Sequence, residues 1–323
     1  MTIPRTSLDV VVSVYNEEAS LPAFHRAAVE ALKALEPSGV DARIVYVNDG
    51  SVDRSSVLLD GFSSETNVTV IHLSRNFGHE AAMLAGLDHS SADYAVFLDA
   101  DLQHPPGEIA GALERAKAGA DIVMMRRAPN PSGAALRTAL NVLFYRGLNY
   151  ISGFAFEENA SDFFLLSRPV VKILKTGFRE RTRFLRGFVQ WVGFRRAVVT
   201  FSAPPRFAGQ SKYSFRHLVR LAKNAALSFS STPLRISFAA SFLFILFSLT
   251  VAIFSTAMWL RGSPPSGYTT LIVFGSITAA TIFGLLGIQG EYIAQLIDES
   301  KARPLYIVAR TVGESSTVPS PHP

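Results

Sequence analysis

Over the first 126 residues, short apolar runs rich in β-branched residues alternate with stretches of helical periodicity, and this beat predicts strand, helix, strand, helix. Strands fall near 8–14, 42–48, 68–74, 94–99 and 121–126, with helices near 18–36, 53–63, 79–89 and 106–118 between them. Such alternation builds an α/β fold, a mostly parallel sheet covered by helices. The C-terminal third follows a different pattern. No charged residue occurs from Ile236 to Leu260, and after Arg261 a second uncharged run extends from Gly262 to Gly290. Each run is long enough to cross a hydrocarbon core of about 30 Å, and Pro264-Pro265-Ser266-Gly267 predicts the turn between them. Ahead of them, Phe215, Leu218, Val219, Ala222 and Ala226 recur at helical spacing opposite Arg216, Arg220 and Lys223. That pattern fits a helix lying in the headgroup layer or one packed on the N-terminal domain. The expected division is an α/β domain over 1–205, juxtamembrane amphipathic helices over 206–233, a two-helix transmembrane hairpin over 234–293 and a tail over 294–323, disordered in its Ser- and Pro-rich end.

Composition sharpens this division. Of the 323 residues 48% are hydrophobic, and the excess lies in the C-terminal third. Arg206, Lys212, Arg216, Arg220, Lys223 and Arg235 precede the first span and Lys301, Arg303 and Arg310 follow the second, against Arg261 alone between them. That asymmetry places both termini and the large N-terminal domain on the cytoplasmic side of the plasma (inner) membrane. Leu8 to Val14 is short and leads directly into Asn16-Glu17-Glu18, without the cleavage pattern of a signal peptide. In the second span Gly275, Ala279, Ala280, Gly284 and Gly287 lie near four-residue spacing, which permits close helix packing and points to a homo-oligomer. The net charge of +5 is concentrated beside the spans, where anionic headgroups account for it; no nucleic-acid motif accompanies it. The chain has no cysteine, which excludes disulfides, thiolate metal sites and a cysteine nucleophile. Neither G-x-G-x-x-G nor G-x-x-x-x-G-K-[ST] occurs, which argues against dinucleotide oxidoreductases and P-loop enzymes.

Each of the first four predicted strands ends in a polar cluster: Tyr15-Asn16-Glu17-Glu18, Asn48-Asp49-Gly50-Ser51, Arg75-Asn76-Phe77-Gly78-His79 and Asp99-Ala100-Asp101-Leu102-Gln103-His104. Ligands of open parallel sheets sit at the carboxyl ends of the strands, so the clusters converge on one crevice. Asp99 and Asp101 carry the plainest chemistry. In an extended chain alternate residues share a side, and a hard cation such as Mg²⁺ is held by one or two carboxylates together with phosphate oxygens. Alone, such a pair is more often a polar turn closing a strand. Asp49 before Gly50-Ser51 likewise suits a tight turn into a helix capped by Ser51 or Asp53. His79 and His104 lack a second histidine at ligand spacing and are assigned hydrogen bonding rather than ligation.

Taken together, Val12-Ser-Val-Tyr-Asn-Glu-Glu18, Val47-Asn-Asp-Gly-Ser51, Arg75-Asn-Phe-Gly-His79, Asp99-Ala-Asp-Leu-Gln-His104, Asp162-Phe-Phe-Leu-Leu-Ser-Arg168, Gly209-Gln-Ser-Lys-Tyr213 and Gly290-Glu-Tyr292 resemble the inverting glycosyltransferases of family 2. Within the family the likeness is to the polyisoprenyl-phosphate type, which includes dolichol-phosphate mannose synthase and bactoprenol glucosyltransferase. The resemblance runs from about Leu8 to Pro304 and implies a GT-A nucleotide-sugar-binding fold. It implies transfer of one sugar, with inversion and with Mg²⁺ or Mn²⁺, from a nucleotide-sugar donor to polyprenyl phosphate at the cytoplasmic membrane face. UDP-glucose is the preferred donor, with GDP-mannose or another UDP-sugar as alternatives. Other readings are a membrane glycan synthase with a non-lipid acceptor and a catalytically silent membrane scaffold.

Carried over residue by residue, the resemblance assigns Tyr15 and Asp49 to the base and ribose, with Glu17 beside them. It assigns Asp101 and Gln103 to the metal, with Asp99 on the metal or the sugar-nucleotide. Arg126 and Arg137 would meet phosphate, Asp162 would lie near the reacting sugar, and Lys212 would stand beside the lipid-phosphate entrance. Arg127 and Arg206 fit solvated or headgroup-facing charges. A lipid phosphate monoester, with a second pKa of about 6, is already largely dianionic, so Asp162 is expected to position substrate or metal rather than remove a proton. The chain departs from the family pattern at Ser13, expected to affect only the backbone, at Asn48, which leaves Asp49 intact, at Phe164, expected to alter sugar or acceptor contacts, and at Asn224-Ala225.

Overall fold

A computed structural model describes residues 5–128, 160–181, 185–202, 204, 232–262 and 267–313. Arg137, Arg206, Lys212, Asn224, Ala225 and the segment 205–231 expected to hold the amphipathic helix lie outside the described residues. The described chain divides into two compact units, one of residues 5–128, 160–204 and 304–313, the other of 232–303, each within those bounds.

In the first unit β1 (Thr6–Val14), β2 (Val40–Asn48), β3 (Val68–Leu73), β4 (Tyr94–Asp99) and β5 (Ile122–Arg127) alternate with α1 (Leu21–Lys33), α2 (Ser55–Phe62), α3 (His79–His89) and α4 (Ile109–Lys117). There follow β6 (Ala160–Ser167), α5 (Arg168–Gly177), α6 (Leu185–Trp191), β7 (Arg196–Phe201) and, after the second unit, β8 (Val308–Val312). The eight strands form one sheet in the order β7-β5-β6-β4-β1-β2-β3-β8. The α/β architecture expected from the alternation is thus the one observed, with two qualifications. β6 runs antiparallel to β4 and β5, and β8 runs antiparallel to β3. The segment 294–323, read as a tail, contributes this edge strand; its end beyond Gly313 lies outside the described residues.

Helices on both faces explain why β1 reads as an almost unbroken apolar run: from Leu8 to Val14 every residue is buried. The polar exceptions are Ser13 and Asp9, and Asp9 accepts bonds from Arg43 Nε at 3.0 Å and Ser90 Oγ at 2.8 Å, so its burial is compensated. The expected helix over 18–36 shortens to α1, and that over 106–118 splits into a 3₁₀ turn, Pro106–Glu108, and α4. Neither Ser51 nor Asp53 is the N-cap of α2, a place held by Arg54; Asp53 instead accepts the Ser55 N–H, and the Ser51 hydroxyl accepts that of Asn16. After β1, β2 and β3 add successively to one side, the chain crosses back and lays β4 on the other side of β1, pairing Ser13 with Asp99. The strand order reverses there, at the β1–β4 junction, where open α/β sheets form their binding crevice.

The second unit contains α7 (Thr232–Leu260) and α8 (Tyr268–Ser300), both long and apolar enough to cross a membrane. The Phe247 and Phe274 rings meet at 5.5 Å, while side chains such as Phe238, 79% exposed, present apolar surface outward. Among the described residues a Cβ added at Gly275, Gly284 or Gly287 would meet nothing within 4 Å, so no described neighbour uses their smallness.

Candidate functional site

At the β1–β4 junction the Ser13 hydroxyl donates to Asp99 Oδ1 at 3.0 Å and lies 3.1 Å from His79 Nδ1. Its single proton is given to Asp99, so His79 Nδ1–H donates to it. The other ring nitrogen, Nε2, lies 3.7 Å from Asp162 Oδ2, and Nδ1 itself 3.6 Å from Asp99 Oδ1. Burial disfavours a charged imidazole here, but Asp99 and then Asp162 outweigh it and push His79 up to about 10. His79 is therefore an imidazolium that links two acidic groups.

Asp162, on β6, is gripped by Arg186 of α6 through two parallel bonds, Nε to Oδ1 and Nη2 to Oδ2, each 2.9 Å. Burial would raise this carboxyl, but the Arg186 guanidinium and His79 together hold it well below the usual carboxylate range. Next to His79 on α3, Glu80 accepts the Leu185 N–H at 2.8 Å, which ties α6 to α3; burial and the nearby Asp162 push the Glu80 carboxyl up.

The acidic loop departs from strand geometry. β4 ends at Asp99, and Asp101 lies in a turn in which Leu102 takes a φ of 62°, so strand alternation does not set the relation between the two carboxylates. The turn is pinned by Gln103 N–H donating to Asp101 Oδ1 at 3.0 Å and Asp99 N–H donating to His104 Nδ1 at 3.0 Å. Burial lowers the pKa of His104, consistent with that acceptor role, and its ring lies 5.5 Å from that of Phe163. The guanidinium of Arg127, read as solvent- or headgroup-facing, comes within 3.5 Å of His104, whereas Arg126 lies exposed with Nη2 3.5 Å from Thr200 on β7.

On the other flank both Asp49 oxygens accept backbone N–H groups, from Phe77 at 2.7 Å and Gly78 at 2.9 Å. Burial pushes this carboxyl up in spite of them. Gly50, at a φ of 65°, packs so closely on the Arg75 backbone that a Cβ would collide with it. Glu17 lies in the turn ahead of α1, its carboxylate accepting the Ser20 hydroxyl at 2.6 Å. Tyr15, 39% exposed, borders a cleft of about 510 Å³ that runs over Asn48, Ser74 and Asn76 at the ends of β2 and β3. A larger depression beside α1 and Glu65 holds none of these groups.

The structure thus brings Asp99, Asp162 and, through the loop, Asp101 and Gln103 to one end of the crevice, and Tyr15 and Asp49 to the other. Phe164 is corrected: its ring is fully buried and stacked on Phe97 at 4.9 Å, so it is core and touches no substrate. Ser13 is corrected too, since its hydroxyl joins Asp99 to His79. Arg186 escaped the sequence reading because its partner is 24 positions away and no local spacing signals it.

Among the described residues no three His, Cys, Asp or Glu side chains form a ready metal cage. Asp99, Asp101 and the Gln103 amide nevertheless offer the hard oxygen donors that Mg²⁺ or Mn²⁺ takes when phosphate oxygens complete its shell. The donor set fits.

The sequence profile described as Glycosyl transferase family 2 matches residues 9–174. The uncharacterized glycosyltransferase sll0501 of Synechocystis sp. is 34% identical over 94% of both chains. The bactoprenol glucosyl transferase of Shigella phage SfV is 36% identical over 93% of this chain and 97% of its own. A crystal structure of glucosyl-3-phosphoglycerate synthase from Mycobacterium tuberculosis, with Mn²⁺, UDP-glucose and phosphoglyceric acid, has a TM-score of 0.46 at 17% identity and covers 69% of this chain and 78% of that one.

Proposed function

Because the chain belongs to glycosyl transferase family 2, we propose that it moves one sugar, with inversion, from a nucleotide-sugar to polyprenyl phosphate at the cytoplasmic face of a membrane. That it is a glycosyltransferase follows from the family; the acceptor and donor are the proposal. The observation that carries the lipid acceptor is the match, over nearly the full length of both chains, to relatives named bactoprenol glucosyl transferase. The two apolar helices, α7 and α8, support it by offering a membrane anchor. UDP-glucose is the donor preferred on the same ground.

In this reading the nucleoside lies toward Tyr15 and Asp49 and the diphosphate toward Asp99 and Asp101. A divalent cation held by Asp99, Asp101 and Gln103 would supply positive charge against the departing diphosphate. Arg137 would add guanidinium charge to the same phosphates, and Lys212 would receive the phosphate of the lipid. Asp162, ionised and clamped by Arg186, is a weak base, and the acceptor needs none; its task is to hold the sugar with its anomeric carbon open to the lipid phosphate oxygen. That oxygen forms the new bond to carbon as the bond to the nucleoside diphosphate breaks. The small face of α8, which no described neighbour uses, supports association of copies through this helix.

The test is incorporation of radiolabel from UDP- and GDP-sugars into an organic-extractable product by purified protein with polyprenyl phosphate and Mg²⁺ or Mn²⁺. Label in the lipid phase, abolished by chelator and by Asp101→Ala, is expected. Nucleotide bound with metal but no lipid product from any donor would overturn the acceptor and favour a non-lipid glycan; failure to bind any nucleotide would leave only the silent scaffold.

A further inference from the structure

We propose that the returning strand β8 completes the nucleotide end of the donor site, with Ala309 and Arg310 forming the wall against which the nucleobase is held. This rests on the assignment of the Tyr15 cleft to the nucleoside. The matched family profile ends at residue 174, so nothing in it assigns a role to this strand.

Three observations carry the inference. The cleft bordered by Tyr15, Asn48 and Asn76 is also lined by Ala309 and Arg310. Next, the β3–β8 ladder is irregular at this point: Leu73 pairs with Val308 and His72 with Arg310, which leaves Ala309 as an extra residue. Neighbouring residues of a regular strand face opposite ways, and a bulge re-aims one of them; here it lets both adjacent residues border one cleft. Finally, the strand is firmly attached there. Arg310 Nη2 donates to Asp60 Oδ2 at 2.6 Å, Ser74 N–H to Ile307 O at 2.9 Å, and the Tyr306 hydroxyl to Asp88 Oδ2 at 2.6 Å. Gly313, at a φ of 84°, passes so close to Val68 O that a Cβ would not fit.

The chemistry suits a flat, polar, aromatic ligand. Tyr15 offers a ring and Arg310 a planar guanidinium, both of which stack on bases, while Ser56 and Asn76 offer groups for the base edge. The guanidinium is held at the rim by Asp60, so little side-chain freedom is lost when a base lies against it. Because only seven residues, 301–307, separate α8 from β8, the chain leaving the apolar helix leads directly into this wall.

The test is isothermal titration of the full-length protein in detergent with UDP, and separately GDP, in the presence of Mn²⁺, comparing wild type with Arg310→Ala and Ala309→Leu. Loss of one guanidinium contact is expected to weaken nucleotide binding about tenfold. The larger Ala309→Leu side chain, at an exposed position that disturbs no ion pair, is expected to weaken it at least as much, with the thermal midpoint unchanged. If wild type binds nucleotide and both variants bind it equally well, the inference is wrong. If Arg310→Ala proves unstable, Ala309→Leu alone decides. If wild type binds neither nucleotide, the assignment of the cleft itself has failed, and the inference with it.

Discussion

Asp162 shows how a residue's neighbours choose its chemistry. A carboxylate bonded twice by Arg186 and faced by the His79 imidazolium stays ionised throughout the working pH range, because its pKa lies well below the usual carboxylate value. Asp162→Asn is therefore expected to lower kcat about a hundredfold, as loss of a positioned charge at a reacting centre does. The factor should be the same from pH 6 to pH 9, as measured with the lipid-phosphate assay. A rate recovered by raising pH would show that Asp162 removes a proton. Arg186→Lys is expected to recover little of an Arg186→Ala defect, since an ammonium cannot form the two parallel bonds. Spacing announced Asp99 and Asp101 and the family resemblance pointed to Asp162, but neither announced their partners. Ser13 looked like a backbone substitution until β1 and β4 were paired, and Phe164 looked like a substrate contact until its ring was placed on Phe97.

Among the elements, the β3–β8 edge is tuned by His72, whose Nδ1 accepts from the Asn48 amide at 3.0 Å and whose Nε2–H donates to Asp60 at 3.0 Å. Burial, then Arg310, lowers its pKa below the ordinary 6.5, against the pull of Asp60. A depressed histidine binds protons less readily folded than unfolded, so its contribution is fully present above about pH 6.5 and is lost as pH falls through the folded value. His79 is raised and runs the opposite way, so the informative quantity is a difference. The thermal midpoint of wild type is expected to fall more between pH 7.5 and pH 5.5 than that of His72→Gln; equal falls would exclude the role. The elements that sequence pattern revealed are β1 to β5, because strands buried on both faces must be apolar throughout. β7 and β8 escaped because edge strands are short and half polar: Arg196–Phe201 is buried only at its last residue, and Val308–Val312 carries Arg310 and Thr311. The antiparallel direction of β6 has no signature in composition, and the turn at Asp101 is set by Leu102 and Gln103 rather than by strand alternation.

For the whole molecule, the decisive question is which side of the membrane the sheet occupies. Nucleotide-sugar transfer at the cytoplasmic face requires the sheet and the strand β8 on that side, and a hairpin that crosses twice would keep them there. An arginine or lysine at the centre of a spanning helix costs about 2.5–3.5 kcal/mol on insertion scales, and Ile236 to Leu260 and Gly262 to Gly290 contain none. Basic residues flank the outer ends of the pair, and only Arg261 stands between, which favours retention of both ends inside. Because the chain has no cysteine, single cysteines can report orientation without background. With a membrane-impermeant maleimide on intact cells, Ser263→Cys, between the helices, is expected to label, whereas Ser64→Cys, exposed on the sheet unit after α2, should label only after permeabilisation. Reversed labelling would place the donor site outside and overturn the cytoplasmic reaction. Protection of both positions until permeabilisation would mean that the apolar pair does not reach the far side, and lipid phosphate would then have to be met by a protein lying on the membrane rather than through it.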